Sequence, residues 1–184
     1  MKKPKVEFIV SYLEQYLENN HNCTVLELGC GTTQYKEIIG TGYLGLDIEQ
    51  NSTNSVDIIR PASSTGLASN SVDLIFTVAM LYLSGQHLEI LNESYRILKP
   101  GGRIVIFDYN SKTQKKLQTI EGHRRYPCWS RLGLRKILKE NGFVSLKAIP
   151  VSNKTNNKIL NFIKDIYGSY RYSWICIEGK KIKV

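Results

Sequence analysis

The sequence predicts an α/β fold, a parallel sheet covered by helices on both faces. Short β-rich runs alternate with helical segments, and several runs are apolar throughout, as strands buried on both faces must be. There is also no internal repeat, no low-complexity tract and no linker long enough to separate two domains. A chain of 184 residues that is 42% hydrophobic can build one core without disulfides or metals, so residues 1–184 read as a single domain.

The chain opens with a helix. Over residues 5–18, Phe8, Ile9, Tyr12, Leu13, Tyr16 and Leu17 recur at a spacing that makes one wide apolar face. Residues 24–28 (TVLEL) are a β-rich run ended by Gly29-Cys30-Gly31, and residues 32–39 read as a helix stopped by Gly40. A second strand, residues 43–47, ends in an acid, and a third, residues 55–59, follows after only seven residues. Residues 72–77 are a strongly apolar strand. Residues 86–98 form an amphipathic helix with Leu88, Leu91, Tyr95 and Leu98 on one side, broken by Lys99-Pro100-Gly101-Gly102. Residues 103–107 (RIVIF) are the next strand, ending at Asp108. Then the pattern changes. A polar stretch runs to Trp129, followed by a helix over 131–141 stopped by Gly142 and a strand over 143–150. An amphipathic helix over about 156–167 and a final strand over 171–178 complete the chain.

The net charge is +9, and it is unevenly spread. Residues 110–184 hold 17 basic and four acidic groups, whereas residues 21–109 hold five basic and nine acidic. The longest nearly uncharged apolar run, residues 74–83, is far short of the roughly 20 residues that cross a bilayer, so no transmembrane segment is expected. Lys2, Lys3 and Lys5 are followed by Glu7 with no small-residue cleavage site, which argues against a secretory signal. Cys23, Cys30, Cys128 and Cys176 are widely spaced without a C-x-x-C pair, so a reducing cytoplasm fits best.

Strand-Gly-x-Gly-helix is a nucleotide-binding turn, because glycines let backbone N–H groups approach a ligand at a helix N-terminus. A phosphate loop of the G-x-x-x-x-G-K-[ST] type is absent, which disfavours nucleoside triphosphate hydrolysis. The third glycine of a dinucleotide fingerprint is replaced by Gln34, which lowers the NAD reading. What remains is Glu27-Leu28-Gly29-Cys30-Gly31 with Asp47 at the tip of the next strand. A carboxylate there can accept hydrogen bonds from both hydroxyls of a ribose.

Four segments in order, V-L-E-L-G-C-G-T (25–32), G-L-D-I (45–48), S-V-D-L-I-F-T (71–77) and L-K-P-G-G-R (98–103), resemble the motifs of class I S-adenosylmethionine-dependent methyltransferases, of the small type that acts mostly on metabolites. K-E-N-G-F (139–143) is similar to that family's last helix-to-strand junction. The resemblance implies a Rossmann-like, doubly wound, seven-stranded and mostly parallel sheet. In it the last strand is antiparallel, a helix precedes the sheet, and a helical insertion precedes the last strand. It implies a cofactor half at about residues 21–109 and a substrate or lid half at about residues 110–184. The implied cofactor is S-adenosyl-L-methionine, with S-adenosyl-L-homocysteine as product and no metal. Carried onto this chain, Gly29 and Gly31 would pass under the cofactor's methionine part, with Glu27 beneath that turn. Asp47 would hold the ribose, Ile48 would pack on the adenine, and Ala62 would present backbone groups to the adenine edge. Thr77 and Val78 would line the sulfonium side, and Asp108 would open towards the substrate. There are departures. Thr33 replaces a further glycine, residues 49–54 leave almost no helix between the second and third strands, Arg60-Pro61 stands where an acid is usual, and Tyr82 stands where His is frequent.

Methyl transfer from a sulfonium is an in-line displacement, so the protein must chiefly hold the nucleophile about 3–3.5 Å from the methyl in a dry site. A base is needed only when the nucleophile must lose a proton. Thr77-Val78-Ala79-Met80 is not the D/N-P-P-Y of nucleobase amine methyltransferases, and Pro127-Cys128 falls after the fifth strand rather than the fourth. Tyr82 and His123 are the catalytic candidates, with Tyr109 and Tyr126 behind them, while His87 reads as a surface residue. Arg124 and Arg125 are substrate candidates. With the basic surplus of the C-terminal part, including Arg131, Arg135 and Lys139 on one helical stripe, they point to a small anionic substrate. An RNA methyltransferase and a catalytically silent partner subunit of the same fold are the alternatives.

Overall fold

The chain is described by a computed structural model over residues 6–32, 35–52, 54–117, 119, 129–149 and 174–183. Seven strands, β1 (Val25–Leu28), β2 (Tyr43–Asp47), β3 (Ile58–Ile59), β4 (Val72–Val78), β5 (Leu98–Tyr109), β6 (Val144–Ala148) and β7 (Trp174–Lys180), form one sheet. Their order is β3-β2-β1-β4-β5-β7-β6. β7 runs antiparallel to both β5 and β6, and the other neighbours are parallel. This is the Rossmann-like arrangement expected from the resemblance.

Alternation along the strands sorts the core into two layers. Leu26, Leu28, Leu46, Ile75, Ile104 and Ile106 point to the face covered by α3 (His87–Ile97) and α5 (Arg131–Glu140). Val25, Tyr43, Leu74, Phe76, Val105 and Phe107 point to the face covered by α1 (Glu7–Glu18) and α2 (Lys36–Ile39). The apolar stripe of α1 buries Ile9, Leu13 and Tyr16, while Phe8 and Tyr12 set their rings against Phe107. The Tyr12 hydroxyl donates to the buried carboxylate of Glu178 on β7.

Four departures from the sequence expectation have physical causes. The expected third strand, 55–59, pairs in register only at Ile58 and Ile59, because side chains take the amides of Ser55 and Val56, although the Asp57 amide still reaches the Gly45 carbonyl. Gln50 accepts the Val56 amide, Asn51 accepts that of Ser55, and Asp57 accepts the Gly45 amide of β2. β5 begins at Leu98, not 103. Val72 pairs with Leu98 and Leu74 with Arg103, so Pro100-Gly101-Gly102 is bulged strand, with Gly101 at φ +80°. The helix expected over 32–39 is the single turn Lys36–Ile39. In the polar stretch after β5, α4 (Ser111–Leu117) is a helix that apolar periodicity could not mark, since it is polar and buries a glutamine. Asn110 starts it by accepting the Thr113 amide, and Gln114 bridges the Tyr109 carbonyl and the Trp129 amide. The helix expected over about 156–167 lies outside the described residues.

The loop between β3 and β4, which carries Ala62, is held by α3. Glu93 Oε1 accepts both the amide and the hydroxyl of Thr65 (2.9 and 2.6 Å), and Arg96 bonds Glu93, the Ser69 hydroxyl and the Leu67 carbonyl. These bonds, Arg96 first and Thr65 after it, pull the Glu93 carboxyl down to about 2 against the opposing effect of burial. Replacing Glu93→Gln should cost on the order of 2 kcal/mol, or about 4–8 °C in Tm by thermal denaturation. A carboxyl lowered from 4.5 to about 2 lends stability that is present above 4.5 and lost as pH falls towards 2, so the gap between wild type and variant should close in acid.

Candidate functional site

Parallel strands end together, and the turn after β1 is built on the tip of β2. The Leu46 carbonyl accepts two amides, from Gly29 (2.8 Å) and Cys30 (3.0 Å). That fold-back requires left-handed backbone at Gly29 (φ +69°) and Gly31 (φ +52°). The Gly31 amide donates to Asp47 Oδ2 (2.8 Å), and Ile48 donates to the other oxygen (2.7 Å). Asn51 donates to the Gly31 carbonyl from below. Among the described residues, leaving aside its chain neighbours, no atom lies within 4 Å of where a Gly31 Cβ would stand, so the backbone at Gly31 is open beside the Asp47 carboxylate. Gly29 is different. Met80 covers it, and the Met80 Cγ stands where a Cβ on Gly29 would have to fit.

Glu27 lies under this turn, on the face of α1 and α2, and is 3% exposed. It pairs in register with Gly45, and the Tyr43 phenol reaches across that glycine to donate to Glu27 Oε2 (2.6 Å). A Cβ on Gly45 would stand 3.0 Å from the Tyr43 ring, its hydroxyl and Cys30 Sγ. Burial pushes the Glu27 carboxyl up to about 8, with the Tyr43 bond pulling back and the Asp47 charge adding to the rise. At neutral pH a protonated Glu27 and a neutral Tyr43 therefore share the hydrogen bond.

At the ends of β4 and β5, Thr77 is 2% exposed and its hydroxyl oxygen has no hydrogen-bond partner. Val78 is half-buried against the α1 face. Asp108 is wholly buried, and its carboxyl accepts the amides of Tyr82 (2.9 Å) and Tyr109 (2.8 Å). Burial pushes this carboxyl up to about 7, opposed by those two bonds. Tyr82 is buried edge-on to Tyr109 (5.4 Å), and burial, with Tyr109 and Asp108 nearby, raises its hydroxyl above the ordinary value. That shift suits a hydrogen-bond donor better than a proton acceptor. Ile48 is 67% exposed beside Asp47, and Ala62 is half-buried on the α3 face. His123, Arg124 and Arg125 lie outside the described residues.

Glu27, Gly29, Gly31, Asp47 and Ile48 thus converge at one turn, and Thr77, Val78, Tyr82 and Asp108 gather at the neighbouring strand ends. Met80, Gln114 and Trp129 carry no sequence signal for the places they take. His87 is not the surface residue expected, because its ring packs on Trp129. The basic stripe of α5 also runs differently from a charged rim: Arg131 is at the site end, and Lys139 lies about 12 Å further along the helix axis. The lysines of α4, Lys112, Lys115 and Lys116, are exposed nearer the strand ends. Among the described residues no group of three potential ligands gathers for a metal ion, and no helix is long and apolar enough to cross a membrane.

Residues 26–106 match the family model of a methyltransferase domain. No curated protein matches the chain. Among solved structures, the chain is similar to one in the complex between the Haloferax volcanii Trm112 methyltransferase activator and a methyltransferase. The TM-score is 0.66 at 17% identity, covering 97% of this chain and 98% of that one. It is similar to a SAM-dependent methyltransferase from Archaeoglobus fulgidus, with a TM-score of 0.67 at 17% identity, covering 96% and 95%. A third likeness is to Haemonchus contortus phosphoethanolamine N-methyltransferase 2 solved with S-adenosyl-L-methionine. Here the TM-score is 0.61 at 16% identity, covering 94% of this chain and 53% of that one.

The two raised carboxyls predict an alkaline weakness. A carboxyl whose folded value is raised lends stability that is full below its unfolded value and lost as pH rises through the folded one, here from 4.5 to about 8 for Glu27 and from 3.8 to about 7 for Asp108. Wild-type Tm should fall between about pH 4.5 and about pH 8, and Glu27→Gln should flatten much of that fall. A Glu27→Gln melting curve as steep in pH as wild type would contradict the buried-acid assignment.

Proposed function

We propose that this chain, which has the fold of the class I S-adenosylmethionine-dependent methyltransferases and a matching methyltransferase domain, transfers a methyl group from S-adenosyl-L-methionine to a small anionic metabolite. The observation that carries the reading is the open backbone at Gly31 bonded to the Asp47 carboxylate. That pairing fits a ligand with both a ribose and an amino-acid part, since carboxylate oxygens retain lone pairs for two hydroxyls while the turn admits close approach.

In this reading the cofactor half spans about residues 21–109. Asp47 holds the ribose, Ile48 offers an exposed apolar surface to the adenine, and Ala62 supports the adenine edge from the loop fixed by Glu93. Gly29 and Gly31 carry the methionine part, with Glu27 holding the turn from beneath. When bound, S-adenosyl-L-methionine supplies an electrophilic methyl on its sulfonium. Thr77 and Val78 line that side, and Asp108 acts as a positioning residue by fixing the Tyr82 and Tyr109 backbones. Tyr82 then donates a hydrogen bond near the nucleophile, and alignment rather than proton removal is the chain's main contribution. His123, Arg124 and Arg125 belong to the substrate half of about residues 110–184. The free thiols of Cys23, Cys30 and Cys176 support a cytoplasmic setting. The likeness to the Trm112 complex supports a second reading, in which the chain works with a partner subunit.

Isothermal titration with S-adenosyl-L-methionine tests the cofactor assignment. Wild type should bind, and Asp47→Ala should bind at least about tenfold more weakly, as the loss of hydrogen bonds to a charged group implies. Equal affinities, or no binding by wild type, would overturn it. A labelled-methyl assay in cell extract should show transfer into a small anionic compound, whereas label in RNA would favour an RNA methyltransferase.

A further inference from the structure

The first turns of α3 and α5 meet beyond the ends of β4 and β5. Trp129, two residues ahead of α5, sets its indole against the imidazole of His87, the first residue of α3, with ring centres 4.7 Å apart and planes near perpendicular. Each ring holds a buried nitrogen with no hydrogen-bond partner, Nε1 of Trp129 and Nδ1 of His87. Trp129 as a whole is 6% exposed. An indole N–H can only donate, and shutting it in unpaired costs on the order of 1–3 kcal/mol.

The surroundings are electropositive. α3 has 11 residues, and its N-cap Gln86 makes no side-chain cap; α5 has 10, with the Ser130 hydroxyl accepting the Gly133 amide. Helix N-termini carry partial positive charge. Gln114 ties the start of α5 to α4, which bears Lys112, Lys115 and Lys116, while α5 adds Arg131 and Arg135, its Lys136 being paired with Glu140. Opposing them are Glu89 in the first turn of α3 and Asp108, which is buried beneath Tyr82.

We propose that this junction is a subsite for an oxyanion, a carboxylate or phosphate group carried by the methyl acceptor, a proposal that rests on the methyl-transfer reading. The anion's oxygens accept hydrogen bonds from Trp129 Nε1 and His87 Nδ1 in the field of the two helix N-termini. Both nitrogens are closed to solvent, so binding the anion requires the junction around them to give way. Pairing the two donors recovers the cost of their burial.

The chain has two tryptophans, so Trp174→Phe leaves Trp129 as the sole indole reporter. Its emission is followed in titrations with inorganic phosphate and with acetate at constant ionic strength, with sodium chloride as control. Calorimetry of phosphate binding to wild type and to His87→Phe keeps the test independent of the fluorescence variant. Saturable binding of phosphate or acetate but not chloride is expected, weakened about tenfold in His87→Phe, as loss of one bond to a charged group implies. Vesicles of phosphatidic acid in phosphatidylcholine form a separate arm, and a response to these alone assigns the anion to a lipid headgroup. No saturable response to any of the three, or equal affinity in His87→Phe, overturns the subsite. S-adenosyl-L-methionine binding measured on the same samples separates the two ideas. Lost anion binding with retained cofactor binding sinks only the subsite, and the reverse sinks the methyl-transfer reading.

Discussion

Glu27 pairs across the sheet with Gly45, and the next pair along, Leu28 with Leu46, brings the Leu46 carbonyl under the amides of Gly29 and Cys30. This register between β1 and β2 is the constraint on which the site depends. It fixes where the chain turns and places Asp47 within reach of the Gly31 amide. It also buries an acid. Glu27 tolerates that position because Tyr43 donates to it, and Tyr43 can lie across the strand only because residue 45 has no side chain. A one-residue slip would turn Glu27 to the other face and strand it without a donor. The Glu27–Tyr43 bond thus links strand pairing to the shape of the turn above it.

A second buried acid organises the other half of the site in a related way. Asp108 ends β5 and ties down the segment after β4 through the Tyr82 amide. From there the packing passes through Tyr109 to Gln114, and from Gln114 to the Trp129 amide ahead of α5. The turn after β1 and the ends of β4 and β5 are therefore separately braced, and they meet where Met80 lies over Gly29. The likeness to solved structures at 16–17% identity concerns the fold, so the roles of these residues rest on their own chemistry.

Much of this was legible in the sequence because it depends on short-range rules. Apolar runs marked the strands, the glycine pair marked the turn, and an acid at the end of the second run marked the carboxylate that meets that turn. What escaped detection depends on partners distant in the chain. α4 has no apolar stripe, and the buried side chain among those described on it is Gln114, whose partners are Tyr109 and Trp129. The strand at Leu98 runs through Pro100-Gly101-Gly102, which reads locally as a break, because Val72 pairs beyond it. β3 is cut short because side chains of Gln50 and Asn51 take the Val56 and Ser55 amides, while the Asp57 side chain takes the Gly45 amide of β2. Gly45 takes its role only from its neighbours, Glu27 across the sheet and Tyr43 on its own strand.

The central claim is that the Gly29–Gly31 turn and Asp47 form one ribose-and-methionine cradle. The most direct measurement is a crystal structure of the chain with S-adenosyl-L-homocysteine. The ribose hydroxyls should lie within hydrogen-bond distance of the Asp47 carboxylate, about 2.5–3.0 Å, with the amino-acid part over Gly31. A ligand bound elsewhere, or one whose ribose leaves Asp47 engaged only with the Gly31 and Ile48 amides, would contradict it.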